Sequence, residues 1–354
     1  MATARSEYGW GIVGCGVIGP THARAVAALR GAHLVAVTDA NQEKAKALAD
    51  EHGAAWEPGL SALLARPDID VVSVCVPSGR HAEVGVLAAQ AGKHLVIEKP
   101  IEVTLAAADR LLGAAAKAGV GLTVISQHRF DPGVQRLREL TEAGRLGRLT
   151  LGEAVVKWYR TQDYYDSGDW RGTWALDGGG ALMNQGIHYL DLLCWIMGPV
   201  AEVTALCATQ AHEIEVEDVA LALLRFKSGA VGLVQATTAA YPGFPERLEI
   251  SGTGGSVVVE AGAIRTSELA DERGEVGAYG VSRDPAPAAA TVSGTAAADP
   301  AALADDAHRA QFADFLAALD HGGEPLVTGE QARADLAVVR AVYDSARLGR
   351  PVMP

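Results

Sequence analysis

Gly9-Trp10-Gly11-Ile12-Val13-Gly14-Cys15-Gly16-Val17-Ile18-Gly19-Pro20 decides the fold. An apolar run, Gly9–Val13, enters three glycines spaced GxGxxG, and an alanine-rich amphipathic stretch, Thr21–Arg30, follows. That order is strand, tight turn, helix. The first glycine permits the turn, the second lets a pyrophosphate approach the backbone, and the third lets helix and strand pack closely. Pro20 suits a first helical turn, where its missing amide costs no hydrogen bond. The open amides at that helix end favour a phosphate. Gly14, Cys15, Gly16, Val17, Ile18 and Gly19 therefore form the expected dinucleotide turn. GxGxxG alone is a weak motif, and the flanking strand and helix give it weight.

Outward from this turn the same grammar repeats. Strand-like runs occur at Leu34–Thr38, Val71–Val76, His94–Ile97 and Gly121–Ile125. Helical patterns fall between them at Gln42–His52, Leu60–Ala65, His81–Ala91 and Leu105–Ala118. Such alternation predicts a doubly wound parallel sheet of the Rossmann kind. Asp39 ends the second strand, twenty residues after Gly19. A carboxylate there accepts hydrogen bonds from the adenine ribose and meets a 2′-phosphate with like charge, so NAD is expected over NADP.

Past Gln127 the grammar changes. A helix (Pro132–Ala143) and a strand (Gly147–Trp158) precede a polar, aromatic loop from Arg160 to Trp174. After Gly178-Gly179-Gly180 comes another helix, and then consecutive strand-like runs: Ala201–Thr209, Val219–Phe226, Ala230–Ala239, Arg247–Ser251 and Gly254–Glu260. Turns such as Lys227-Ser228-Gly229 between them indicate a mixed, mostly antiparallel sheet. The Ala-, Pro-, Ser- and Thr-rich stretch from Arg283 to Pro300 predicts a surface loop, and helices near Asp306–Leu319 and Glu330–Leu348 close the chain. Two α/β domains are expected, 1–126 and 127–354.

Composition narrows the function. The chain has 354 residues, 49% hydrophobic and 21% charged, as globular proteins do. No run approaches the ~18 apolar residues of a membrane span. A net charge of −13 without a basic cluster argues against nucleic acid. The opening residues, MATARSEYGWGIVGCG, leave no room for a signal peptide, so a cytoplasmic location is expected. Four cysteines, Cys15, Cys75, Cys194 and Cys207, form no CxxC pair, and neither a metal site nor a disulfide framework is expected.

Two constellations carry candidate chemistry. Glu98-Lys99-Pro100 follows the fourth strand, at the carboxyl end where ligands of such sheets bind, and Pro100 could support a cis bond. The second runs from Gly178 to Asp191, where Asn184, His188 and Asp191 fall on one helix face among Leu182, Ile187, Leu190 and Leu193. Polar groups aligned on an apolar helix cost desolvation unless they hydrogen-bond or line a cavity.

Together, the initial GxGxxG, Asp39, Glu98-Lys99-Pro100 and the glycine-rich helix with its histidine resemble the glucose–fructose oxidoreductase and inositol dehydrogenase (Gfo/Idh/MocA) family. The resemblance spans essentially the whole chain. It implies an NAD-dependent dehydrogenase or reductase acting on a secondary alcohol, a homodimer or homotetramer, and Lys99 and His188 flanking the reacting carbon. Asn184 departs from the commonest pattern, which has an aspartate there, so acid–base work would fall to Lys99 and His188, with Asn184 orienting the substrate or His188. The segments Tyr159–Tyr165 and Trp170–Trp174 look like the branch holding nucleotide-sugar and sugar 3-dehydrogenases. Pro77, Ser78, His81, Glu98 and Lys99 complete the expected cofactor-binding set. Arg129, Arg160, Tyr164, Trp170 and Arg171 join Lys99, Asn184 and His188 as the expected substrate-binding set, because aromatics stack on sugar faces and guanidinium groups read hydroxyls. An NAD-assisted redox glycosidase and a non-catalytic NAD- or sugar-sensing regulator are the alternatives.

Overall fold

The computed structural model describes residues 7–272 and 305–354. The loop expected from Arg283 to Pro300 lies outside the described residues.

The first sheet is parallel and six-stranded: β1 (Tyr8–Val13), β2 (Ala32–Thr38), β3 (Ala55–Trp56), β4 (Val71–Val74), β5 (His94–Ile97) and β6 (Leu122–Val124). Its order, β3-β2-β1-β4-β5-β6, is the doubly wound one. Helices α1 (Gly19–Ala27), α2 (Gln42–His52), α3 (Leu60–Leu64), α4 (His81–Gln90) and α5 (Leu105–Ala118) connect the strands. Their ends follow the local chemistry. Asn41 caps α2 by accepting the amides of Glu43 and Lys44, and Gly53 closes it in the left-handed region at φ 62°. β3 has only two residues, too short to signal itself in the sequence.

After α6 (Pro132–Glu142) comes the second sheet, of seven strands: β7 (Leu149–Lys157), β8 (Val200–Ala208), β9 (Val219–Phe226), β10 (Val231–Thr237), β11 (Arg247–Gly252), β12 (Gly255–Glu260) and β13 (Ala263–Leu269). The order is β13-β12-β11-β7-β10-β9-β8, and only β7 and β10 pair in parallel. Alternate residues of β9, Ala220, Ala222, Leu224 and Phe226, are buried, the two-residue period of a sheet with one covered face. β13 escapes sequence analysis because its Arg, Thr, Ser and Glu side chains at the sheet edge show no buried alternation. The short α7 (Gln162–Asp166) and α8 (Ile187–Met197) lie between β7 and β8, and α9 (Asp305–His321) and α10 (Gly329–Leu348) end the chain.

The compact units are discontinuous, unlike the contiguous division expected. Among the described residues one comprises 7–127, 165–179 and 305–337; the other comprises 128–164, 180–272 and 338–354. The reason is packing. Phe312 and Phe315 of α9 are buried in the core of the first unit, where the Phe312 ring lies 5.0 Å from that of Trp10. Local periodicity shows that α9 has an apolar face but not which distant surface covers it.

Candidate functional site

In the first unit the turn after β1 is shaped around its missing side chains. Gly14 sits at φ +103°, and a Cβ there would stand 2.4 Å from the Cys75 carbonyl oxygen. A Cβ on Gly19 would meet the Gly14 carbonyl at 2.3 Å. Gly16 faces open space, and Val17 beside it is 66% exposed. Pro20 occupies the first turn of α1, whose N-terminus has no side-chain cap. Backbone amides are thus left facing an uncluttered surface, which fits the pyrophosphate of a dinucleotide. Asp39 accepts the Cys15 amide at 2.7 Å through one oxygen and the Asn41 amide at 2.7 Å through the other. Each oxygen keeps a lone pair, and the half-buried carboxylate fits a ribose diol. Burial pushes the Cys15 thiol up to about 12, so Cys15 is a small filler of the turn and no nucleophile.

At the end of β5 the Lys99–Pro100 peptide is cis. Lys99 is fixed from behind by a buried chain of polar groups that the sequence did not reveal. Trp10 Nε1 donates to Ser73 Oγ at 2.8 Å, and Ser73 Oγ lies 2.9 Å from His22 Nδ1. His22 Nε2 lies 2.9 Å from Glu98 Oε1, and Glu98 Oε2 accepts the Lys99 amide at 3.0 Å. An ionised Glu98 can only accept, so His22 Nε2 donates to it, while Ser73 Oγ, already accepting from Trp10, faces His22 Nδ1. Burial alone would raise the Glu98 carboxyl, but the His22 hydrogen bond, with His308 and Lys99 nearby, holds it down at about 2. Glu98 thus supports the lysine backbone instead of opening toward a ligand.

Burial lowers the Lys99 ammonium, Glu98 and Asp177 oppose that, and Arg171 adds to it. Asp177 is 2% exposed and accepts the Gly172 amide at 2.9 Å. Arg171, stacked 4.6 Å from the Trp170 ring centroid, and Asp177 belong to the same unit as Lys99. His81, expected to bind cofactor, is buried with its ring between two carbonyls, Nδ1 2.8 Å from Pro100 O and Nε2 2.9 Å from Val76 O. It braces the backbone just before Pro77 and the buried Ser78 against the backbone at Pro100.

The second unit carries the histidine. A π-helical turn, Leu182–Gly186, leads into α8. From Asp177 to Leu193 every residue is buried except Asn184 and His188. The wide turn sets these two open side chains apart from Asp191, which is buried. Asp191 takes Arg129 instead, with Nε at 2.9 Å and Nη2 at 2.5 Å, and the guanidinium stacks 5.1 Å from Trp195. Arg129, expected at the substrate, is 2% exposed and ties α8 to the segment before α6. Arg160 is likewise 7% exposed, stacked between Trp158 at 5.1 Å and the half-buried Tyr164 at 5.5 Å. Both arginines build walls.

His128, a neighbour sequence analysis did not assign, packs edge-on to His188 with centroids 5.3 Å apart. Burial would lower His128, but Asp131 at 2.7 Å from its Nδ1 outweighs it and raises the imidazole. The signal for it was the His128-Arg129-Phe130-Asp131 run, whose meaning depends on where α8 lies.

The triple glycine serves packing. A Cβ on Gly178 would stand 2.5 Å from Val103, and one on Gly180 only 1.7 Å from the Glu217 carbonyl oxygen. The backbone at Gly178 and at Gly180 is therefore covered by protein.

Comparison with known proteins agrees with this geometry. The profile of the oxidoreductase family with an NAD-binding Rossmann fold matches residues 8–126, and that of the GFO/IDH/MocA C-terminal domain matches residues 134–258. The chain belongs to this GFO/IDH/MocA family of NAD-dependent oxidoreductases. It is 29% identical over 280 residues to the myo-inositol 2-dehydrogenase of Thermotoga maritima, covering 75% of this chain and 79% of that one. It is also 29% identical to the D-apiose dehydrogenase of Paraburkholderia graminis, covering 99% and 90%. Among solved structures, the WlbA dehydrogenase of Bordetella pertussis, in complex with NADH and UDP-GlcNAcA, superposes with a TM-score of 0.84 at 34% identity, covering 98% of this chain and 99% of that one. No helix among the described residues is long and apolar enough to cross a membrane.

Proposed function

We propose that this chain interconverts a secondary hydroxyl and a ketone on a sugar or sugar derivative, with Lys99 and His188 as its acid–base groups. The observation that carries the assignment is the buried stretch from Asp177 to Leu193, in which Asn184 and His188 alone are half-buried. Bound NAD supplies the hydride acceptor or donor. His188 takes the hydroxyl proton during oxidation and returns it during reduction. Lys99, as an ammonium, stabilises the developing alkoxide; the lowering of its pKa by burial brings it closer to sharing the proton. Asn184 has no proton to exchange and orients the substrate. Gly14 to Gly19 with Asp39 hold the cofactor. Trp170, Arg171 and Tyr164 supply aromatic faces and a cation for the sugar.

A polyhydroxylated ring is favoured because the relatives named above act on an inositol and on apiose, and the WlbA structure holds UDP-GlcNAcA. Oxidation at C3 of a hexopyranose, free, glycosidic or nucleotide-linked, fits this branch best. Lys99→Met and His188→Ala should each lower kcat by ~100-fold or more, with NAD affinity nearly unchanged. Near-normal turnover in either variant on the sugar the wild type uses would remove that residue from the mechanism.

The proposal extends to a cytoplasmic homodimer or homotetramer. The outer face of the second sheet carries Leu206 at 72% exposure, Leu223 at 62% and Val231 at 47%, and Leu206 stands opposite Leu221 across the β8–β9 pair. Such a patch on a flat sheet suits a second copy related by symmetry. Leu223→Lys should lower the mass measured by light scattering toward the 36.7 kDa of one chain. A wild type that already scatters as 36.7 kDa would refute self-association.

A further inference from the structure

The second unit holds a carboxylate that touches no open surface and yet occupies the start of the helix bearing His188. Glu217, in the segment before β9, is 3% exposed. Its Oε2 accepts the Gly180 amide at 2.8 Å, and its Oε1 accepts the Leu182 amide at 2.9 Å and the Tyr343 hydroxyl at 3.0 Å. Its backbone carbonyl takes the Ala181 amide between them at 3.0 Å. One residue therefore satisfies three consecutive amides that the helix N-terminus would leave orphaned. Asn184 N then bonds Gly180 O at 3.0 Å, and the wide turn begins. Gly180 is a glycine because Glu217 lies against it.

We propose that Glu217 is the positioning residue of this helix, and that its ionised side chain sets where Asn184 and His188 stand. The inference rests on the function proposed above only for the consequence in catalysis. Both carboxylate oxygens are committed to amides. An amidated side chain turns an N–H toward either the Gly180 or the Leu182 amide and leaves that amide without an acceptor, whereas protonation keeps the acceptor oxygens but removes the charge that strengthens both bonds. Tyr343 of α10 and Cys207 of β8 are the titratable groups facing Glu217, and both thiol and phenol are held neutral by burial. Asp218 next to it is turned away, accepting the amides of Gln210, Ala211 and His212. Burial pushes the Glu217 carboxyl up to about 7 against the pull of its donors, so the hold weakens within the physiological pH range.

The test needs no substrate, so its failure is distinct from failure of the catalytic assignment. Amide hydrogen exchange of peptides covering 180–193 is compared in wild type, Glu217→Gln and Tyr343→Phe, with NAD affinity and melting as controls of the fold. Exchange at 180–188 should rise at least ~10-fold in Glu217→Gln, the scale of one lost charge-assisted bond, and less in Tyr343→Phe, which keeps both amide bonds. The pH profile of His188 carbethoxylation should show two titrations in wild type and one in Glu217→Gln. Exchange within about twofold of wild type, acceleration spread evenly over the second unit, or identical carbethoxylation profiles would overturn the proposal. If Glu217→Gln does not fold, the wild type carries the test through pH: protection of 180–188, corrected for the intrinsic pH dependence of exchange, should rise as pH rises through about 7, and constant protection would overturn the proposal.

Discussion

Asp39 holds the phosphate turn in shape, and the proposed function gives the same side chain the choice between NAD and NADP. Its two oxygens pin the Cys15 and Asn41 amides, which shapes the phosphate turn, and the remaining lone pairs are placed for a ribose. Removing its charge should therefore narrow the preference for NAD over NADP. Asp39→Asn removes the repulsion of a 2′-phosphate and lets the amide oxygen keep the Cys15 bond, at the loss of the Asn41 bond. The measurement is kcat/KM with each cofactor, and equal values in the wild type would show that Asp39 does not discriminate. Arg129 and Arg160 teach the opposite lesson at this scale. Their residue type suits a sugar hydroxyl, but a bidentate carboxylate and two aromatic rings have taken them. A sequence lists donors without saying which acceptor reaches them first.

Elements add constraints that no residue carries alone. The π turn before α8 and its acceptor, Glu217, form one unit, and its thermodynamics can be read separately from its function. The native carboxyl titrates at about 7 instead of 4.5. Between these values the folded chain keeps a proton that the unfolded chain has released, so stability falls as pH rises through the window, by at most ~1.4 kcal/mol per pH unit. Glu217→Gln has no proton to lose and lacks this slope. Urea unfolding at intervals from pH 5 to pH 8 should show the two profiles diverging; parallel profiles would mean that the carboxyl titrates as it does in water. At the end of β5, by contrast, the Glu98 carboxyl is held down at about 2 and is ionised throughout this window.

For the whole molecule, the return of α9 to the first unit makes the cofactor-binding half depend on residues near the chain's end. Phe312 is fully buried against Trp10, so Phe312→Ala should cost ~3–5 kcal/mol, the usual loss for a core aromatic. Because that loss falls on the first unit, NAD affinity should fall with it as temperature rises, measured by calorimetric titration across the melting range. Unchanged melting would show that α9 is dispensable to the nucleotide half. The discontinuity matters for engineering as well, since a cut after residue 126 removes Phe312, Phe315 and Leu316 from that core.

The doubly wound half, its phosphate turn and the acidic end of β2 were legible in the sequence because each is local: a strand, a turn and a helix follow one another within about 30 residues, and period and glycine spacing report them directly. The placement of Lys99 at a strand end and of His188 on an apolar helix was legible for the same reason, while their chemistry is the proposal made above. What only tertiary structure decided is everything that depends on partners distant in the chain. Gly180 lies against Glu217, thirty-seven residues later; Arg129 meets Asp191 after sixty-two; Trp10 meets Phe312 across most of the molecule. Burial is what makes such pairs consequential, because a buried charge or donor must be satisfied wherever its partner comes from. Local patterning specifies which faces need covering, and the packed chain alone specifies what covers them.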